Sequence, residues 1–449
     1  MVFISVIVYS MPMEKNFSKA PVSSRCESVR PKVVDLFAGA GGLSLGFEQA
    51  GFDVAAAIEI DPVHCAVHEF NFPYSTVICA SVVDLTGDQI RSKAGLIGCD
   101  IDVVVGGAPC QGFSMMGKRA LDDPRNQLVG HYVRLVRELA PKYCVFENVR
   151  GLTLGKHVRF LEELIVALGD AGYRVLLPYR VLNAADHSVP QDRRRLFLVA
   201  ARADMELPTY PEPADWRVCV WDAIGDLPDA DSFDQLLDSD AVRTRWATRS
   251  EYARNLRGAA VDTHDFSYPR TFDKGILTSS LRTIHTPLSM QRFLGTVAGA
   301  TEPISRFHKL DPHGLCNTLR AGTDSARGAF TSPRPIHPFL PRVVTVREAA
   351  RLHSYPDWFR FHMTKWHGFR QIGNSVPPLL ARAVAGQVMK TLGGRPVKPK
   401  AMMALGSADL LTYDMGEAAR HFSVSRGVIA QRNRKVAGVQ LDIGESLYA

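Results

Sequence analysis

The stretch "KVVDLFAGAGGLSLGFEQAGF", residues 32–52, changes character twice. Val33, Val34, Leu36 and Phe37 form a short apolar run. Gly39, Gly41 and Gly42 break it, and Leu43, Leu45, Gly46, Phe47 and Ala50 resume with the spacing of a closely packed helix. This reads as strand, glycine loop, helix. A second strand, "VAAAIEI", follows and ends at Glu59 and Asp61. Further strands are expected at Thr76–Ile78, Ile101–Val105, Tyr143–Phe146 and in "RRLFLVAARA" (194–203), with helices over Gln127–Ala140 and Val158–Ala171. Strands alternating with helical patterns imply an α/β fold, a doubly wound and mostly parallel sheet.

The alternation stops near Tyr210. Prolines, aspartates, arginines and short apolar runs continue to about Pro341, as expected for a smaller irregular or β domain inserted before the last helix. The α/β texture returns in "VTVREAARLHSYPDWF" (344–359), a helix closed by Pro356. "GFRQIGNSVPPLLARAVAGQVMKTLGG" (368–394) then reads as a loop leading into an amphipathic helix. The expected division is a lead-in over 1–30, a first domain of 31–209 plus 366–394, a second domain with its hinge over 210–365, and an extension over 395–449. Within the extension, Ala419, Ser423 and Ile429 have the spacing of a helix-turn-helix.

With 449 residues, 46% of them hydrophobic and 22% charged, the chain can bury a sizeable core, and its net charge of +7 is compatible with a polyanionic partner. The apolar run in "MVFISVIVYSMPMEK" is too short to span a bilayer and lacks a basic leader, so no membrane association is expected and the expected location is cytoplasmic, with the nucleoid. The eight cysteines form no Cys-x-x-Cys pair and no metal-like spacing with histidine, so no metal is expected.

Four clusters carry chemistry. A glycine loop followed, at the tip of the next strand, by Glu59 places a ribose acceptor where a nucleoside would lie. The spacing is not G-x-G-x-x-G, so the pattern suits S-adenosylmethionine better than a dinucleotide; a tight packing turn is the structural alternative. Asp84 either accepts from an adenine amino group or caps a helix. In "DVVVGGAPCQGFS" a strand ends in two glycines and delivers Cys110 behind Pro109, and in "CVFENVRG" another strand ends at Glu147. Parallel strands end on one edge, so a thiol and a carboxyl there meet the geometric requirement for nucleophile and general acid; a loop cysteine of no consequence and a solvated or capping carboxylate are the structural alternatives. "QDRRRLFLVA" sets Arg193, Arg194 and Arg195 ahead of a strand, either as a solvated basic face or as a group fixing a carbonyl.

In order and spacing these segments resemble the cytosine-5 DNA methyltransferases. "DLFAGAGGLSLGFEQAGF" is similar to that family's cofactor loop, "GGAPCQGFS" to its nucleophile loop and "FENVRG" to its Glu-Asn-Val segment. "QDRRRLFLVA", "VREAARLHSYPDWF" and "QIGNSVPPLLARAVA" match its later motifs. The resemblance covers residues 32 to about 390. It implies that Cys110 is the nucleophile, Glu147 the acid on the base, and Arg193 and Arg195 further catalytic groups, with Arg195 on the ring carbonyl. Phe37, Gly39, Gly41, Gly42, Glu59, Ile60, Asp84, Pro109, Asn374 and Ser375 would surround S-adenosylmethionine. Ile60 departs from the aromatic residue that many relatives carry against adenine.

The implied reaction is methylation of carbon 5 of a cytosine flipped out of duplex DNA. Gln111, Ser114, Arg306, Thr318, Leu319 and Arg320 are the expected DNA contacts, with 306–338 as the reading segment and Thr318-Leu319 similar to the family's recognition signature. A monomer suffices for one base per turnover, and a cognate restriction endonuclease would act separately. The competing readings are a tRNA cytosine-5 methyltransferase, which uses the same chemistry, and a catalytically silent DNA-binding relative.

Overall fold

The computed structural model describes residues 29–109, 127–155, 157–247, 250–322 and 334–428. The central sheet takes β1 (Lys32–Leu36), β2 (Asp53–Glu59), β3 (Thr76–Cys79), β4 (Val103–Gly106), β5 (Tyr143–Val149), β6 (Tyr173–Val175), β7 (Arg180–Asn183) and β8 (Arg194–Arg202). Its order is β3-β2-β1-β4-β5-β8-β6, and β7 also pairs with β8. The first five strands are parallel to their neighbours, whereas β8 runs antiparallel to β5. The segments β6 and β7 follow one another along the outer edge of β8, both antiparallel to it. They span only three and four residues, too few for an alternation to stand out in the sequence.

Strand alternation supplies the two faces. Val34, Leu36, Val104, Cys144, Phe146, Leu196 and Leu198 point to one side. There they meet α3 (Gly87–Ala94), α4 (Gln127–Leu139) and α5 (His157–Asp170). Val33, Val103, Val105, Val145, Phe197 and Val199 point to the other, against α1 (Gly42–Gln49) and the late helix α11 (Pro378–Thr391). Each such buried Val, Leu or Phe contributes roughly 1.5–3 kcal/mol. Helix α1 lies directly on α11: a Cβ at Gly46 would stand 2.3 Å from the Ala381 Cβ. The helix between β2 and β3 is α2 (Pro62–Asn71), capped by the Asp61 side chain. Helix α3 is capped by Thr86, not by Asp84, which is exposed in the preceding turn.

The inserted region contains α6 (Val220–Ile224), β9 (Val242–Arg243), α7 (Glu251–Leu256), β10 (Arg270–Thr271), β11 (Ile276–Leu277), α8 (Pro287–Gly295) and α9 (Val346–Leu352). Its cores do not divide at residue 210 or 365. Val218, Val220, Tyr252, Val346, Tyr355 and Phe369 share one cluster with Leu45 of α1 and Phe72 after α2, so both flanks of the insertion are built onto the first domain. Among the described residues, two small clusters, around Leu236 and Leu277 and around Phe293 and Ile336, belong to the insertion by itself. Fully buried Arg351 on α9 fastens the flanks, reaching Asp357 at 2.7 Å and Asp226 at 3.1 Å.

Two expectations about the late elements are corrected. The helix expected to run up to Pro356 ends already at Leu352, because Ser354 takes a left-handed φ of 64° before that proline. The segment 368–377, read as a loop, is mostly helical: α10 runs Lys365–Asn374 with Phe369 and Ile372 buried. After α11 come β12 (Met403–Ala404) and α12 (Met415–His421). No second helix follows α12 among the described residues, and Ile429 lies outside them. No helix among them is long and apolar enough to cross a membrane.

Candidate active site

The carboxyl ends of β1, β2, β4 and β5 form one edge, with Leu36 level with Ile58 and Gly106, and Gly106 level with Phe146. Because β8 is antiparallel, its first residues return to that edge. Val149 is opposite Arg195 and Glu147 opposite Phe197, so Arg195 is the diagonal same-face neighbour of Glu147. Arg195 Nε lies 3.0 Å from Glu147 Oε1, with both side chains largely buried. Burial pushes the Glu147 carboxyl above the usual carboxylate range, opposed by the charges of Arg195 and Arg193. Burial likewise lowers Arg195, opposed by Glu147. A carboxyl held toward neutrality beside a fixed cation can donate a proton and stabilise developing negative charge.

The strand that leads to the cysteine loop touches this pair. A Cβ at Gly107 would stand 2.7 Å from Glu147 Oε2, so only glycine leaves the carboxyl where it is. Asn148 Nδ2 donates to the Ala108 carbonyl at 2.9 Å, and Val149 N–H donates to Asn148 Oδ1 at 2.9 Å. Neighbouring positions on β5 thus fix both the acid and the backbone just before exposed Pro109. Cys110, Gln111 and Ser114 lie outside the described residues. Replacing Gly107 by alanine is expected to displace Glu147 and lower kcat roughly ten- to a hundredfold, with a melting temperature near wild type. Steady-state kinetics beside thermal denaturation check this; unchanged kcat overturns it.

The glycine loop stands on the same edge. Phe37 and Gly39 take left-handed φ values of 63° and 54°, and Glu59 Oε2 accepts from Gly39 N–H at 2.9 Å. Glu59 Oε1 accepts from the N–H groups of Ile60 and Asp61 at 3.0 and 2.9 Å, which orients the carboxylate at the strand tip. Nothing lies within 4 Å of a Cβ built on Gly39, so its glycine serves the left-handed turn and leaves open space beside Glu59. Gly42 serves close approach instead: its Cβ would stand 2.4 Å from the Val376 carbonyl oxygen, which puts Ser375 and Val376 against the loop. Ile60 is 38% exposed, and Asn374 is exposed at the end of α10.

Behind the loop is a buried polar cluster that the sequence reading missed. Ser44 Oγ donates to Asp35 Oδ2 at 2.6 Å and lies 3.1 Å from His68 Nε2. Burial raises the Asp35 carboxyl to about 7 and lowers His68 to about 3, so the imidazole is neutral and the carboxyl holds its proton far longer than an exposed one. The available signal was an aspartate in the middle of the apolar run "KVVDLF".

Arg193 has other partners than Arg195. It is 1% exposed, and its guanidinium donates to the carbonyls of Leu319 at 2.8 Å, Gly373 at 2.8 Å and Ser375 at 2.7 Å. These contacts make it a tie between the inserted region and the end of α10, while its charge also acts on Glu147. Leu319 is 4% exposed, its N–H donating to Gln191 Oε1 at 3.1 Å, so its side chain faces protein and does not offer the DNA contact expected. Thr318 Oγ1 donates to the Asp192 carbonyl at 2.7 Å. A Cβ at Gly373 would meet the Arg320 carbonyl carbon at 2.3 Å, so the chain at Arg320–Ala321 crosses α10 in backbone contact. Arg320 and Arg306 are exposed, the latter with φ 60°. Gln191 and His353, whose Nε2 and Nδ1 are 2.9 Å apart, complete this seam and were not singled out in the sequence.

Comparison with known proteins is concordant. The profile of C-5 cytosine-specific DNA methylases matches residues 31–390. The Type II methyltransferase M.XorII of Xanthomonas oryzae pv. oryzae is 64% identical over 407 residues, 91% of this chain and 96% of that one. M1.HphI of Haemophilus parahaemolyticus, also a Type II methyltransferase, is 34% identical over 365 residues, 80% of this chain and 86% of that one. A solved structure from E. coli, described as a prophage-encoded DNA modification methyltransferase, superposes with a TM-score of 0.67 at 34% identity, covering 81% of this chain and 99% of that one.

Proposed function

We propose, from the premise that this chain belongs to the C-5 cytosine-specific DNA methylase family, that Cys110, Glu147 and Arg195 methylate cytosine in duplex DNA with S-adenosylmethionine as the donor. The observation that carries this reading is the Glu147–Arg195 pair at 3.0 Å, packed against the strand end that runs into Pro109 and Cys110. The donor site fits the residues present: an oriented carboxylate, Glu59, stands beside a left-handed loop with open space at Gly39. Phe37, Gly41, Gly42, Ile60, Asp84, Pro109, Asn374 and Ser375 would complete it, with Ile60 offering adenine an aliphatic surface. S-adenosylmethionine, when bound, supplies the electrophilic methyl group that carbon 5 takes.

The chain's own residues make carbon 5 able to take it. The Cys110 thiolate adds to carbon 6, forming an S–C bond, and the electron pair of the 5,6 double bond moves into the ring. Glu147 gives its proton to ring nitrogen 3, and Arg195 offsets the charge that develops nearby. Carbon 5 becomes enamine-like and nucleophilic. After methylation, a water takes the carbon 5 proton, whose bonding pair restores the 5,6 double bond as the thiolate leaves carbon 6, and the nitrogen 3 proton returns to Glu147. The base must leave the helix to reach these groups, at a cost of a few kcal/mol. Gln111, Ser114, Arg306, Thr318 and Arg320 are the DNA contacts of this reading, Thr318 and Arg320 from the segment that Arg193 ties down. The enzyme acts as a monomer and protects its host's DNA from a separate endonuclease.

The test is to incubate the chain with methyl-labelled S-adenosylmethionine and either duplex DNA or total tRNA. Labelled 5-methylcytosine is expected in DNA. Label confined to tRNA, or absent from both, overturns the reading.

A further inference from the structure

The family match ends at residue 390, yet the described chain continues to Val428 and folds back onto the first domain. Strand β12 pairs in parallel with β10. The Gly406 N–H then donates to the Phe70 carbonyl at 2.8 Å, and a Cβ there would stand 2.8 Å from Phe70 Cα, so the backbone lies directly on the end of α2. Leu410 and Leu411, 5% and 3% exposed, share a cluster with Ala66, Val67 and Phe70 of α2 and with Ala40 in the middle of the glycine loop. The Met363 N–H donates to the Leu411 carbonyl at 2.9 Å, and His362 Nε2 lies 3.1 Å from the Tyr413 carbonyl oxygen. Helix α12 packs on α2, where His421 Nε2 is 3.0 Å from Glu69 Oε2.

Other residues of α2 face the loop. A Cβ at Gly41 would stand 2.5 Å from the Phe72 ring and 3.1 Å from His68. The glycine loop therefore rests on α2 and its end, and α2 is held in turn by residues 403–422.

We propose that this extension is a positioning element for the glycine loop, setting the affinity for S-adenosylmethionine without touching it; the inference rests on the cofactor reading above. A loop that samples other conformations binds with an apparent Kd raised by the inverse of its competent fraction, whereas turnover at saturating donor is unaffected. The signature is thus confined to donor affinity. Leu410→Ala combined with Leu411→Ala, in the full chain, is expected to raise the calorimetric Kd for S-adenosylmethionine and for S-adenosylhomocysteine about tenfold. The donor KM should rise equally, with kcat and the Kd for duplex DNA within about twofold of wild type. His421→Ala, which removes the partly exposed contact with Glu69, should move the donor Kd in the same direction by about threefold.

Wild-type donor affinity in the double variant overturns the proposal, as does a parallel loss of donor binding, DNA binding and thermal stability. Should the double variant not fold, unchanged donor affinity in His421→Ala overturns it. A wild-type chain that binds no S-adenosylmethionine removes the cofactor reading and this inference together, an outcome distinct from the others.

Discussion

Cys110→Ala is expected to abolish methyl transfer, with kcat down by roughly 10⁴-fold or more, and to form no covalent complex with DNA carrying 5-fluorocytosine at the target position. An intact nucleophile adds to carbon 6, and after methylation the fluorine leaves no proton to remove, so the wild-type enzyme stays bonded to the base. A free thiol of ordinary pKa near 8.5 is only a few per cent ionised at neutral pH. The loss in Cys110→Ser should therefore be nearly as large, because an alcohol ionises far less than a thiol. Donor binding should survive both substitutions, since the N–H groups of Gly39, Ile60 and Asp61 orient the Glu59 carboxylate. A variant that turns over like wild type, or that is trapped on the fluorinated DNA, removes Cys110 from the mechanism.

The strand end ahead of Cys110 was legible because local signals agree there. An apolar strand, two glycines and a proline have one reading on a parallel sheet, and the same holds for the tip of β5 at Glu147. Direction was harder to read than position. Arg193, just ahead of β8, and Arg195 within it lie two positions apart, and only their partners separate them. One meets Glu147, and the other meets three carbonyls contributed by residues more than a hundred positions away. Leu319 shows the same limit: the Thr-Leu pair placed the segment, but a buried leucine packs on protein whichever motif it belongs to. The helix α10 escaped because two glycines, Gly368 and Gly373, read as loop residues. In the structure they make room for Val346 and for the Arg320–Ala321 backbone, contacts that no local pattern announces.

Glu147→Gln is the second large effect. A glutamine can hydrogen-bond to the ring but has no proton to give at nitrogen 3, so kcat should fall by about 10²- to 10³-fold near neutrality. The pH dependence carries more information than the magnitude. Burial raises the Glu147 carboxyl above its ordinary value while Arg195, at 3.0 Å, opposes that rise. The proton-bearing form is the active one, so wild-type kcat should decline as pH climbs through the raised pKa, and the glutamine variant should lose that limb. Arg195→Gln removes the opposing charge and should carry the limb to higher pH, though from a lower plateau.

Stability must follow the same sign. A carboxyl whose folded pKa is raised contributes stability that is fully present below its unfolded pKa, near 4.3, and is lost as pH rises through the folded value. The difference in unfolding free energy between Glu147→Gln and wild type should therefore shift in favour of the variant across that window, whatever its offset at low pH. Chemical denaturation of both proteins at several pH values measures it. If the difference is independent of pH, or if kcat in the glutamine variant keeps the wild-type alkaline limb, the group that titrates in the reaction is not Glu147.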